Sequence, residues 1–570
     1  MGWLHGPAPT APHRTTGIVV CAPLGYDALC AHRSLRHVAA TAAAAGYAVL
    51  RFDYDGTGDS VGSVDDPARW AAWRESIRDA VTALRESATV ERVVLLGVGL
   101  GATLAATVAA DHASDDASGI AGVATIAPIV SGKRCLRELR ALMRVMGRAE
   151  APAALALPEG SEEFVGLLLS AETKTAMEQV DLTTCSYPPS LRWLVLDRSD
   201  RAPNAAWLAV LAQQGATVEH AVLPGYVEMM QDPHEAELPR EMIAAFQQWL
   251  ETQFPQVALA PIPLHPLSTE PVSVASDAQE FPVHFGAQNA LFGVVTRSAS
   301  SAPLRALILI NAGSNHHIGN GRMYVQFARN LARQGWMVLR FDIAGIGESA
   351  PHAGRLENEV YTPTGVDDLR EAVHFVRGTL GIAQVHGAGL CSGAYNVFRA
   401  AEAGVLLDGI VVINPLTFRW RDGMSLKYPA YVMAQSATQY RESIRHWSKW
   451  VKLLRGGVDV RHAAATVVYR GREAFRGIAR DAGRMVGAPA AEDIGTELHT
   501  MVRRGVRVRF IFSEGDPGEH VLRTGAGRAL TRLLGKGQVT LSHLPGCDHS
   551  LSAGWMREVL WSELHRTLAA

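Results

Sequence analysis

The 570 residues carry 54 Lys and Arg against 56 Asp and Glu, a formal net charge of −2, with 48% hydrophobic and 19% charged residues. At roughly 100–250 residues per domain this length predicts two to four domains, each large enough to bury a core. The near-neutral balance argues against a nucleic-acid partner and against an anionic membrane surface.

The six cysteines, Cys21, Cys30, Cys135, Cys185, Cys391 and Cys547, include no C-x-x-C pair. Their spacing fits neither a zinc site nor a disulfide framework and suits a reducing, cytoplasmic setting. The first residues, MGWLHGPAPTAPHR, lack the charged and apolar regions of a secretory leader. Apolar runs are cut by Gly, His or Thr before the roughly 20 residues that a membrane span needs.

In chain order, an apolar strand at Gly17 to Pro23 is followed by a helical stretch. GYAVLRFDYDGTGDS then runs from Gly46 to Ser60, and VVLLGVGLGATLAA begins at Val93. WLVLDRSD follows at Trp193 to Asp200, and LPG at Leu223 to Gly225. The second half repeats this order: ALILINAG at Ala306, GWMVLRFDIAGIGES at Gly335 to Ser349, QVHGAGLCSGAYNVF at Gln384, FIFSEGD at Phe510 to Asp516 and LPG at Leu544 to Gly546. The chain thus reads as a tandem duplication. Strands alternating with helical stretches predict the α/β class, with a doubly wound, mostly parallel sheet in each half. Residues 253–276, rich in Pro and Ser, read as a linker between domains 1–252 and 277–570. Phe281 to Val295 reads as a β-hairpin opening the second domain.

The stretch Gly389-Leu390-Cys391-Ser392-Gly393 has the form G-x-nucleophile-x-G, in which a strand turns sharply into a helix and crowding demands the elbow glycines Gly389 and Gly393. The helix N-terminus favours a thiolate at Cys391, and the Ser392 N–H can face an oxyanion. A second donor is expected from the loop NAGSNHH, at Gly313 or Ser314. A thiol needs a base and the base an orienter. Asp516 after a strand, then His549 in LPGCDHSLS, supply both in the chain order nucleophile, acid, histidine.

These segments resemble the α/β-hydrolases of the serine aminopeptidase S33 type, and are similar to the hydrolases found beside exosortase and surface-polysaccharide genes. The carriers are the two LRFD…G-x-G-[DE]-S segments, the GLCSGA elbow, and Asp516 with His549. Cys391 stands where most such proteins have serine. Dienelactone hydrolases, polyhydroxyalkanoate synthases and some acyl shuttles of peptide assembly lines are similar in carrying cysteine there.

Competing readings exist for several of these residues. A lone cysteine is usually a small buried hydrophobe. Ser392 is a rival nucleophile, but one position past the tip its side chain should point inward. His316 and His317 are adjacent loop residues, a weak metal signal, and are expected to line the pocket or sit on the surface. Cys547 and His549 are too few for zinc. No metal or organic cofactor is implied.

In the first half the tip of the elbow is Gly99, which has no side chain. Asp200 is read at the acid position, and Glu228 stands where the histidine should be. This half is expected to be a degenerate hydrolase domain. Gly97-x-Gly99-x-x-Ala102 also matches a dinucleotide fingerprint, but that fingerprint belongs after a first strand, and here at least two precede it.

Each half inserts a helical cap between elbow and acid, about Val130 to Ser190 and about 418–504. From Arg419 to Arg504, 16 Lys and Arg stand against 8 Asp and Glu, so the second cap is locally basic in an acidic remainder. Its aromatics include Trp420, Tyr428, Tyr431, Tyr440, Trp447 and Trp450. One reading is an amphipathic cap with a solvated basic face. The other is a grip on an acidic acyl carrier, a CoA or carrier-protein phosphopantetheine thioester. The expected function is acyl transfer from an ester or thioester through an acyl-cysteine, as hydrolase or acyltransferase. The alternative is a non-catalytic scaffold in a biosynthetic complex. Acylation or deacylation of surface-polysaccharide precursors is implied by the resemblance alone.

Overall fold

The computed structural model describes all residues except 9, 112–118, 147–150, 259–263, 266–267, 276, 422–423, 425–492 and 570. The chain divides into two compact units, one built mainly from Met1–Val274, the other mainly from Ala275–Gly319 and Gln326–Ser552.

The first unit holds strands β1 Gly2–His5, β2 Thr16–Cys21, β3 Ala48–Phe52, β4 Arg92–Val98, β5 Ile120–Ile126, β6 Arg192–Arg198 and β7 Thr217–Leu223. They form one sheet in the order β1-β3-β2-β4-β5-β6-β7. Only β1 is antiparallel to its neighbour; every other pair is parallel. Parallel neighbours require crossovers, and helices on both faces bury the sheet. Residues 16–21 of β2 are accordingly buried without alternation. One face packs Trp73, Trp193 and Trp207, the other Tyr47, Phe246 and Trp249.

The second sheet contains β8 Val272–Ala275, β9 Ala278–Phe285, β10 Leu291–Arg297, β11 Arg305–Ile310, β12 Trp336–Phe341, β13 Gln384–Leu390, β14 Gly409–Ile413, β15 Arg507–Ser513 and β16 Val539–Leu544. Their order is β8-β9-β10-β12-β11-β13-β14-β15-β16. From β12 onward this is the order of the first sheet from β3 onward, so both halves wind the same way. The expected hairpin is present as β9 and β10, with Phe281 opposite Val295. Strand β8 lies within the stretch expected to be a linker: its alternating Val272-Ser273-Val274-Ala275 suits an edge strand.

The first cap is less helical than expected. Between helices Gly132–Met146 and Ala171–Glu178 it contains a short hairpin, Glu162–Phe164 with Leu167–Leu169. Most of the second cap, with most of its basic residues and five of its six named aromatics, lies outside the described residues; Trp420 and the helix Ile494–Arg503 are described.

The repeated LRFD segments have a structural reason. Asp342, wholly buried, accepts bonds from the Asn311 Nδ2 at 2.8 Å, the His317 N–H at 2.7 Å and the Glu348 N–H at 3.0 Å. The Asp53 carboxylate likewise accepts from the Asp59 N–H at 2.9 Å. At Gly347 and Gly58 (φ 57° and 48°) a Cβ would collide with these carboxylates, so each G-x-G loop folds around an aspartate.

Arg340 of the same motif has no exposure and reaches Glu280 on β9 at 3.1 Å, and Arg329 reaches the other oxygen at 2.7 Å. Removing one member of a buried ion cluster costs about 3–5 kcal/mol, because its partners stay buried. Glu280→Gln is therefore expected to reduce the unfolding free energy of the second unit by an amount in that range, read as a lower midpoint in urea. An unchanged midpoint would show that the cluster does not hold β9 to β12.

Candidate active site

Strands β4 and β13 end in the same sharp turn. Cys391 has φ 56° and ψ −112°, a backbone conformation that costs an L residue energy. Its N–H donates to the Ile413 carbonyl at 2.9 Å, as that of Gly99 (φ 55°) donates to Ile126 at 2.9 Å. The flanking glycines are steric requirements. A Cβ on Gly393 would lie 2.6 Å from the Asn311 oxygen and 2.7 Å from that of Ile310, and one on Gly389 would strike the Gly393 backbone. The turn thus lifts Cys391 out of the sheet at the start of helix Ser392–Glu402.

Asp516 and His549 meet beside it. The Asp516 side chain has no exposure, and its Oδ2 lies 2.6 Å from the His549 Nδ1. The His549 Nε2 is also buried and stops short of full hydrogen-bond geometry with any described group. Its interacting neighbour is the Cys391 thiol. Burial works to lower the imidazole pKa. The bonds to Asp516 and Cys391 outweigh burial and lift it from 6.5 to about 10. The proton therefore stays on the imidazole through neutral pH and leaves only as pH rises through about 10.

The rival nucleophile Ser392 is 1% exposed, and its Oγ accepts from the Gly313 N–H at 2.8 Å. Its hydroxyl is thus turned into the structure, as its place past the tip suggests. This corrects the expectation for Gly313, whose amide is engaged by Ser392 and not open toward an oxyanion. Ser314, the other expected donor, has a buried hydroxyl without a hydrogen-bond partner among the described residues. The Ser392 N–H belongs to the first turn of its helix, where no intrahelical acceptor exists.

His316 and His317 are not surface residues. His317 is wholly buried and its Nδ1 lies 2.8 Å from Asp342 Oδ2; His316 is 6% exposed. Among the described residues no group of three or more His, Cys, Asp or Glu is placed to hold a metal ion, and no helix is long and apolar enough to cross a membrane.

Three contributors carry no sequence motif. Asn414, wholly buried at φ 44°, follows β14. Its Nδ2 donates to the His549 carbonyl at 2.9 Å and to Ser513 Oγ at 2.8 Å, and its Oδ1 accepts the Ser513 N–H at 2.7 Å. The Ser513 hydroxyl donates to the Asp548 carbonyl at 2.8 Å. Asn414 and Ser513 thereby tie the histidine loop to the strand that ends near Asp516. The third, Tyr361, is treated below.

The first unit differs from the second beyond the elbow tip. The Ala127 N–H donates to Leu196 as that of Asn414 donates to Ile511, so Ala127 (φ 50°) stands at the Asn414 position without its amide. Counted from those carbonyls, Asp516 is five residues past Ile511, and the residue five past Leu196 is Arg201. The reading of Asp200 at the acid position is corrected accordingly. Its carboxylate lies toward solvent, held by Arg198 at 2.6 Å. Glu228 is exposed. The Tyr226 hydroxyl stands 3.5 Å from where a Cβ on Gly99 would be, occupying the space over the empty tip.

Removing the Asn414 side chain leaves buried backbone and Ser513 groups unsatisfied, at about 1–3 kcal/mol each. Asn414→Ala should therefore destabilise the second unit by at least about 2 kcal/mol in urea denaturation. Asn414→Gly, which relieves φ without restoring the amide, should not recover it. Recovery by glycine would show that backbone conformation alone matters there.

The family model for serine aminopeptidase S33 matches residues 30–195 and 302–552. No curated protein matches the chain. Among solved structures, a proline iminopeptidase from Mycobacterium smegmatis is similar at 19% identity over 44% of this chain and 94% of its own, with a TM-score of 0.31. Est1E from Butyrivibrio proteoclasticus, with ferulic acid bound, is similar at 15% identity over 45% and 96%, TM-score 0.31. An α/β serine hydrolase without a lid from Xanthomonas campestris is similar at 15% over 45% and 90%, TM-score 0.29. With two matched regions that cover most of its length, one in each sheet, the chain belongs to the serine aminopeptidase S33 family of α/β-hydrolases.

Proposed function

We propose that the second unit catalyses acyl transfer from an ester or thioester through an acyl-cysteine at Cys391, and that the first unit is a pseudo-hydrolase. The observation that carries the reading is the strained Cys391 tip beside an imidazole that a buried carboxylate keeps protonated.

The residues suit the following course. The thiol proton resides on His549 Nε2, and the Cys391 sulfur attacks the acyl carbonyl. The Ser392 N–H, with the Ser314 N–H or hydroxyl, holds the oxyanion of the tetrahedral intermediate. As it collapses, the carbon–oxygen or carbon–sulfur bond to the leaving group breaks, and His549 returns its proton to that group. The acyl-cysteine is itself a thioester. His549, now neutral, takes a proton from water, an alcohol, an amine or a thiol, which attacks in turn and restores the cysteine. Asp516 orients His549 and balances its charge throughout. A CoA or carrier-protein thioester is the substrate class best suited to cysteine, because entering and leaving groups are then alike.

The other cysteines make this testable. Burial pushes Cys30 and Cys135 up to about 12 and Cys547 up to about 11, and raises Cys21 and Cys185. Brief exposure to a panel of short and long acyl-thioesters should give one hydroxylamine-sensitive adduct in intact-mass spectra. That adduct should be absent from Cys391→Ala. No adduct with any acyl chain would favour the second reading, a scaffold whose two halves have both lost their chemistry, as Gly99, Arg201 and Glu228 suggest for the first.

A further inference from the structure

The elbow has a polar neighbour outside the triad. Tyr361 lies in the loop before helix Gly365–His374, which packs so closely on helix Ser392–Glu402 that a Cβ on Gly365 would sit 2.7 Å from the Asn396 Oδ1. The Tyr361 ring is held on two sides. It stacks on Trp420, with centroids 4.3 Å apart and planes 12° from parallel, and meets Tyr395 edge-on at 5.1 Å and 80°. Tyr395 is one helical turn past the tip, its N–H donating to the Cys391 carbonyl at 3.2 Å. This cradle fixes the ring beside the elbow, with the residue 7% exposed.

The hydroxyl is the anomaly. The Tyr361 Oη is buried with no bond of full hydrogen-bond geometry among the described residues, a state that costs about 1–3 kcal/mol unless something offsets it. The Cys391 thiol is the first of its interacting neighbours, ahead of Tyr395. A tyrosine here to fill space would be better replaced by phenylalanine.

We propose that the Tyr361 hydroxyl is a further catalytic group, a hydrogen-bond donor to the Cys391 thiolate that acts alongside His549. The proposal rests on the reading of Cys391 as an activated nucleophile. No proton is transferred to or from Tyr361. The thiol proton moves to His549, and the phenol O–H supplies a second donor to the sulfur anion until the bond to the acyl carbon forms. Burial first, and then the adjacent thiol, raise the phenol pKa well above its usual value, so it remains a donor across the working range. The charges nearest the cradle are already committed. Arg419 and Arg399 both pair with Glu497, the former in a very close contact and the latter at 3.4 Å. Among the described residues, His549 and Tyr361 are titratable groups that interact with the Cys391 thiol.

The test is the pH dependence of iodoacetamide alkylation at Cys391, followed by peptide mass spectrometry in the full chain. The proteins compared are wild type, Tyr361→Phe and Tyr395→Phe. Both variants keep their rings and so the cradle; far-UV circular dichroism and a urea midpoint within error of wild type verify folding. Losing a hydrogen bond to an anion in a dry site is worth about tenfold or more in an equilibrium constant. Tyr361→Phe should therefore shift the alkylation midpoint upward by about one pH unit, with Tyr395→Phe unchanged. A Tyr361→Phe profile that overlays wild type would overturn the proposal while leaving an activated Cys391 intact. A wild-type profile like that of a free thiol would overturn both this proposal and the catalytic reading. If Tyr361→Phe fails to fold, Tyr361→Trp retains stacking and an N–H donor. It should then alkylate nearer to wild type than Tyr361→Leu does, and equal rates in those two variants would overturn the proposal.

Discussion

A carboxylate without exposure must be neutralised by what surrounds it, and Asp516 has one cationic partner at 2.6 Å, the imidazole of His549. Much of the second sheet's C-terminal edge is arranged around that pair. The aspartate sits at the end of β15, where Gly518 must be glycine because a Cβ would collide with the Pro415 carbonyl. The histidine sits on a loop whose backbone is held from behind by Asn414 and Ser513. The imidazole so held stands beside the Cys391 thiol, one of the two groups that raise its pKa. The strained turn at the tip keeps that sulfur clear of the sheet.

The first unit shows what the fold retains when this pair is absent. The sheet order, the LRFD clamp and the elbow with positive φ all persist, because they are properties of packing and backbone. The side chains around the elbow differ. Gly99 has no nucleophile, Arg201 stands level with the acid, Glu228 is turned to water and Ala127 lacks the amide of Asn414. Even the place of Ser513 is filled by a residue with different contacts, since Arg198 lies over the Tyr226 ring at 4.5 Å and binds Asp200.

Features that are local in the chain were legible in the sequence. The duplication could be read from LRFD and G-x-G, because an aspartate and the glycine it crowds lie within six residues. The elbow could be read from its two glycines, and Asp516 and His549 from chain order. The alternation of strands and helices was enough for the α/β class. What escaped depends on register between distant strands. Asn414, Ser513 and Tyr361 come from three separate segments, each chemically ordinary until the sheet and the helix pair bring them to the elbow. Asp200 was matched to Asp516 because both follow a strand in similar strings, while the backbone pairing places Arg201 there. Gly313 was expected to present its amide, and only the fold shows Ser392 reaching back to take it. The burial of the two histidines of NAGSNHH escapes a sequence reading because Asp342, which binds His317, is 25 residues away from it.

If Asp516 and Cys391 together keep His549 protonated at neutral pH, the nitrogen-15 chemical shifts of the His549 side chain will report it, followed from pH 6 to pH 10.5 in the intact protein. Both ring nitrogens should stand at imidazolium shifts at pH 8, with deprotonation only on approach to about 10. In Cys391→Ala the transition should fall to a lower pH, because one of the two interactions that raise it is gone. A His549 that titrates near 6.5 in wild type, unaffected by loss of the thiol, would contradict this arrangement and leave Cys391 an ordinary cysteine on a strained turn.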